Sequence, residues 1–82
     1  MSNLAIRSGE MKRFGEKLRV LRQRQELSQE ELGDMLEVHQ THVGRLERGE
    51  KIPNAAIILK ITDIFGVTAD QLMRDELELN NE

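Results

Sequence analysis

The 82-residue chain carries a formal charge of −3, no cysteine and a single proline. That length fits one small domain, and the absence of cysteine excludes disulfide frameworks and thiolate metal sites. No apolar run approaches the roughly 20 residues that cross a bilayer, and the opening MSNLAIRSGE lacks the apolar core of a secretion signal, so a soluble, cytoplasmic protein is expected. Net acidity argues against a nucleic-acid partner, because phosphates are neutralised by Lys and Arg. Its distribution reverses that argument: residues 1–53 hold ten basic and nine acidic side chains, whereas residues 54–82 hold two basic and six acidic ones.

Residues 1–10 show no helical period and read as a mobile arm. Phe14, Leu18 and Leu21 then recur on one face of a first helix from about Met11 to Gln25, with Lys12, Arg13, Lys17, Arg19, Arg22 and Arg24 over the rest. Ser28 and Glu31 form a capping box that opens a second helix, and Leu27 and Leu32 are placed as a hydrophobic staple. Leu32, Met35 and Leu36 are the apolar stripe of that helix. Val43 and Leu46 carry a new phase, so a third helix runs from about Gln40 to Arg48 and stops at Gly49. Asn54 caps a fourth helix, Ala55 to Phe65, ended by Gly66. Thr68 and Gln71 form a second capping box and open a fifth helix from about Ala69 to Met73 or Leu77. The domain is thus expected over residues 11–73. Residues 74–82 are a C-terminal extension, either a dimerisation segment or a frayed tail, and its acidic side chains are expected in solvent.

Two short helices joined by a tight turn, the second with an exposed polar face, make a helix-turn-helix unit from Gln29 to Arg48. Gly33 costs about 1 kcal/mol relative to Ala inside a helix, which is understandable if the next helix crosses close against it. Three segments in order, Leu27–Leu32, Val43–Gly49 and Gly66–Leu72, resemble the phage-repressor/Cro-like (XRE) helix-turn-helix family over about residues 11–73. The resemblance implies an all-α, five-helix, lambda-repressor-like domain. It also implies dimeric binding to inverted-repeat operators, with the third helix in the major groove. The chain departs from the family where Glu26 and Glu37 replace glycines that favour a left-handed backbone, and where His39 replaces the usual Ser/Thr cap.

Helical geometry turns Thr41, Arg45 and Arg48 away from the Val43–Leu46 face, with Gly44 beside them and Gln40 at the tip. Gln40, Thr41 and Arg45 are therefore the candidates for base readout, since Gln pairs with adenine, Arg with guanine, and Thr offers a hydroxyl or a methyl. Gly44 lets the helix backbone approach DNA. Gln29, at the N-terminus of the second helix, suits a phosphate, and Arg48 serves a phosphate or a base. The resemblance adds Lys51 and Asn54 as phosphate contacts and assigns Arg22 and Glu47 to a buried ion pair between helices 1 and 3.

On helix 4, Ile58, Ile61 and Phe65 define the core face, and Ile57 and Ile64 lie on a flank outside it. With Met73, Leu77 and Leu79 they form an expected homodimer surface, unless helix 5 covers that flank within the monomer. His39 and His42 lack a third ligand, so no metal is expected. No catalytic constellation, cofactor motif or small-molecule site is present, and no enzyme is expected. The expected function is a homodimeric, sequence-specific regulator of double-stranded DNA, most simply a repressor. The competing reading is a protein-interaction module of the same fold, such as an antitoxin that sequesters a partner.

Overall fold

The computed structural model describes residues 11–79; the arm at 1–10 and the final residues 80–82 lie outside it. Five helices follow one another among the described residues: α1 (Phe14–Arg24), α2 (Gln29–Leu36), α3 (Gln40–Glu47), α4 (Ala55–Phe65) and α5 (Ala69–Met73). Their starts are set by side chains that satisfy the orphan N–H groups of a first turn. Ser28 Oγ accepts from Glu31 N–H at 2.9 Å while Glu31 returns the bond to Ser28 N–H at 2.8 Å. Thr68 and Gln71 repeat this box on α5, and Asn54 Oδ1 caps α4 through Ile57 N–H at 2.9 Å.

α1 begins three residues later than its periodicity suggests, because Met11 adopts a left-handed backbone with φ of 71°. Its first turn has no local side-chain cap. Asp75 supplies one from the far end of the chain, accepting from Arg13 N–H at 2.8 Å and Lys12 N–H at 3.3 Å.

The core joins Phe14, Leu18 and Leu21 of α1 to Leu32 and Leu36 of α2, Val43 and Leu46 of α3, Ile57, Ile58 and Ile61 of α4, and Leu72 of α5. This corrects the expected dimer surface. Ile57 is only 5% exposed and belongs to the core, and Ile64 and Leu79 are partly buried against it. A helix sandwiched between its neighbours buries a wider arc than a one-sided stripe, and Ile57 falls within that arc. Met73 and Leu77 remain exposed. Met35, read as part of the α2 stripe, is also exposed.

Lys17, expected on the polar face of α1, is buried. Its Nζ donates to three carbonyls, of Gln71 at 2.6 Å, Arg74 at 2.7 Å and Leu77 at 2.6 Å. Those carbonyls belong to the end of α5 and the segment after it. The ammonium therefore satisfies acceptors that a terminating helix leaves open. Burial and the neighbouring Arg13 guanidinium push Lys17 below the usual lysine range. Residues 74–79 fold back along α1, where Arg13 also donates to Asp75 O at 2.8 Å and pairs with Glu78 at 3.0 Å. The acidic segment, expected in solvent, thus supplies the cap that the start of α1 lacks and adds Glu78 to Glu16 as a partner for Arg13.

Candidate nucleic-acid interface

α3 is held on its inner side and open on its outer side. Val43 and Leu46 are fully buried, which turns Gln40, Thr41 and Arg45 outward, and all three are exposed. The turn before α3 is compact. A Cβ on Gly33 would lie 2.7 Å from Val38 O, so the chain entering α3 rests directly on α2. Glu37 closes α2 in the left-handed region at φ 63°, as does Glu26 before the Leu27–Ser28 start at φ 57°. These are the two positions where the resemblance calls for glycine. Lys60 steadies the first of them, donating to Leu36 O and pairing with Glu37 at 3.2 Å.

Behind the exposed face, α3 is fastened to α1. Arg22 Nε donates to Glu47 Oε2 at 2.7 Å and Nη2 to Oε1 at 3.2 Å, while Nη1 reaches Leu27 O at 2.8 Å. The fork-on-fork geometry fixes direction as well as distance. Gln29 joins this cluster, its amide nitrogen donating to Glu47 Oε1 at 3.1 Å. The Gln29 side chain therefore braces α3. Its place in the first turn of α2 leaves backbone N–H groups, rather than the amide, as the anion-attracting element.

Gly44 is buried, beneath Gln29 and Arg48: a Cβ there would lie 3.0 Å from Arg48 Nη1 and 3.6 Å from Gln29 Oε1. Its lack of a side chain thus makes room for two neighbouring polar side chains. Arg48, at the C-cap of α3, pairs with Glu50 at 2.9 Å. That contact raises the guanidinium and holds the Glu50 carboxyl below its usual range. A phosphate at Arg48 would compete with Glu50, a local counter-charge the sequence reading did not assign.

Arg45 and Lys51 stand together at a cleft of about 310 Å³, lined also by Val38, His39, Thr41 and His42. This places a basic side chain of α3 beside one from the following loop, on one side of the unit. Asn54 uses its carboxamide oxygen as the α4 cap, so its amide nitrogen is the part available to an anion. His39 caps α3: Nδ1 accepts from Thr41 N–H at 3.1 Å and also lies 3.1 Å from Thr41 Oγ1. No cluster suited to a metal occurs among the described residues, and no helix among them is long and apolar enough to cross a membrane.

The signature of the helix-turn-helix family matches residues 18–72. The HTH-type transcriptional activator BcrR of Enterococcus faecalis is 38% identical over 63 residues, covering 77% of this chain but only 31% of its own length. The uncharacterized HTH-type transcriptional regulator YazB of Bacillus subtilis (strain 168) is 32% identical over 63 residues, 77% of this chain and 91% of that protein. Among solved structures, the P22 c2 repressor in complex with a synthetic operator superposes with a TM-score of 0.69 at 29% identity, covering 72% of this chain and 89% of the other. The restriction-modification controller protein C.AhdI of Aeromonas hydrophila gives 0.67 at 32% identity, with coverage of 76% and 94%. The architecture, the outward polar face of α3 and these likenesses agree, and the chain belongs to the phage-repressor/Cro-like (XRE) helix-turn-helix family, whose members are DNA-binding transcriptional regulators and not enzymes.

Proposed function

We propose that this regulator acts in the cytoplasm as a homodimeric repressor that reads an inverted-repeat operator through α3 in the major groove. One observation carries the reading. The inner side of α3 is locked by Val43, Leu46 and the Arg22–Glu47 pair, while Gln40, Thr41 and Arg45 are exposed, the last two at the cleft that Lys51 also lines. A rigid helix with an exposed polar face is suited to base edges. An interaction module that sequesters a protein would favour apolar groups there. The similar P22 c2 structure contains an operator, which supports the same docking.

Gln40, Thr41 and Arg45 take the bases in this reading, with the α3 backbone at Gly44 close behind them. The first turn of α2 at Gln29, together with Arg48, Lys51 and Asn54, takes phosphates. A two-fold dimer sets its recognition helices about 34 Å apart, one turn of DNA. Because Ile57 is in the core, the dimer surface is centred on the exposed Met73 and Leu77.

Selection of duplexes from random-sequence DNA tests this directly. The selected sites are expected to be inverted repeats whose affinity falls steeply with salt. Arg45→Ala should relax base preference at one position per half-site, by about 1–3 kcal/mol, whereas Lys51→Ala should weaken all sequences alike. Unchanged binding in both variants would remove these assignments. A Met73→Glu/Leu77→Glu variant that sediments as the parent dimer would remove that interface, and a reporter promoter carrying the selected site decides repression against activation.

A further inference from the structure

The N-terminus of α3 is held by an imidazole, and that cap has a requirement that a hydroxyl or carboxamide cap lacks. His39 Nδ1 faces both the backbone N–H and the hydroxyl of Thr41, at 3.1 Å each. It can accept from the N–H only while unprotonated, which fixes the ring as the tautomer with its hydrogen on Nε2. In that state the Thr41 hydroxyl can meet the ring only as a donor that shares the single Nδ1 lone pair with the N–H. Protonation of Nδ1 sets a donor against the Thr41 N–H and removes the cap. It turns the hydroxyl into an acceptor from the ring, and it places a positive charge at the positive end of the α3 dipole. Imidazole makes this change of charge between about pH 5 and pH 8.

We propose that His39 is a pH-responsive positioning residue for DNA recognition: as the neutral ring it seats Thr41 and the first turn of α3 for base readout, and on protonation it releases both. This rests on the DNA-binding reading above. The effect on discrimination has one sign from two causes. Loss of the cap weakens readout of the preferred site, while the added charge strengthens attraction to the phosphates of any sequence. Preference for the operator over random DNA therefore falls as pH falls.

The other charged or titratable side chains at the same cleft are His42 and Arg45 from α3 and Lys51 from the loop that follows. From the end of α2, Glu37 is paired with Lys60. His42 is the second imidazole at this cleft, its Nε2 buried without a partner, so it is the control.

The test compares the full chain with His39→Asn and His42→Gln. Asn is a strong N-cap that does not titrate. The probes are the highest-affinity duplex selected at about pH 7.5 and a random-sequence duplex of equal length, each measured again at about pH 5.5. The operator preference of the parent chain should drop about fivefold, the equivalent of one helix cap. It should stay level in His39→Asn and drop as in the parent in His42→Gln. A parental pH profile in His39→Asn overturns the proposal, as does a profile abolished only in His42→Gln.

A second readout does not need DNA. In the free protein the Thr41 amide resonance should titrate together with the His39 ring and be flat in His39→Asn. A Thr41 amide indifferent to the His39 titration overturns the cap switch. Failure of the parent chain to select any duplex instead overturns the DNA reading, and the Thr41 amide then decides the switch alone.

Discussion

Arg22 and Glu47, 25 residues apart, meet through two parallel hydrogen bonds of 2.7 and 3.2 Å that tie α1 to the back of α3. Glu47 is nearly buried and also accepts from Gln29, so the recognition helix is referenced at one point to both helices that carry it. Removing one partner of such a pair leaves a charge without compensation. Glu47→Ala should cost about 3 kcal/mol in urea denaturation, and Gln29→Ala about 1 kcal/mol. The double variant Arg22→Met/Glu47→Leu should recover most of the loss, because it buries no unpaired charge.

Two glycines near this pair should respond oppositely to the same change. A Cβ on Gly15 would meet the backbone of α3, lying 2.6 Å from Leu46 O and closer still to Glu47 O. Neither can yield without moving α3, so Gly15→Ala should destabilise by about 1–3 kcal/mol. At Gly44 the nearest atoms are the tips of Arg48 and Gln29 side chains, 3.0 Å away or more. These can shift, and Ala is the better helix former, so Gly44→Ala should leave stability unchanged or raise it by up to about 1 kcal/mol. Thermal unfolding of the two variants measures the contrast.

Lys17 should be needed for the C-terminal segment to dock. Replacing it with Met keeps most of the buried stem but leaves the carbonyls of Gln71, Arg74 and Leu77 without their common donor. The expected loss is about 2 kcal/mol or more. Amide exchange should accelerate at Leu77 to Leu79 before it does so in α2 and α3.

Glu78 gives that docking a pH dependence of known sign. Its hydrogen bond and attraction to Arg13 hold the carboxyl below the usual glutamate range. The contribution is therefore present above the ordinary carboxylate pKa and is lost as pH falls through the lower folded value. Because the pair is exposed, the effect is local. The Glu78 side-chain resonances and the Arg13 guanidinium should shift together as pH falls below the ordinary carboxylate range, and Glu78→Gln should remove the shared transition.

Much of the helix order was legible along the chain because it depends on neighbours. The Ser28–Glu31 and Thr68–Gln71 boxes, the Asn54 cap and the Val43–Leu46 phase each lie within one or two turns of helix. The same holds for the exposure of Gln40, Thr41 and Arg45, which follows once the inward direction of α3 is known. Glu26 and Glu37 were identified from the resemblance as residues in glycine positions, and their positive φ angles agree with it.

Periodicity misplaced Lys17 and Ile57, and for one reason. A helical wheel reports which residues share a face, but not how many faces are covered. The segment at 74–79 covers the side of α1 that carries Lys17, and neighbouring elements extend the buried arc of α4 to Ile57. Asp75 capping α1 across 62 residues is equally invisible to local pattern.

The sequence by itself therefore determined the order of the five helices, the starts of α2 to α5 and the outward set on α3, because capping and helical phase act over three or four residues. Only the tertiary structure decided where α1 begins, what the acidic C-terminal segment does, and that Gln29 and Gly44 sit within the bracing of α3. Those outcomes depend on groups that are distant along the chain and come together when the core closes.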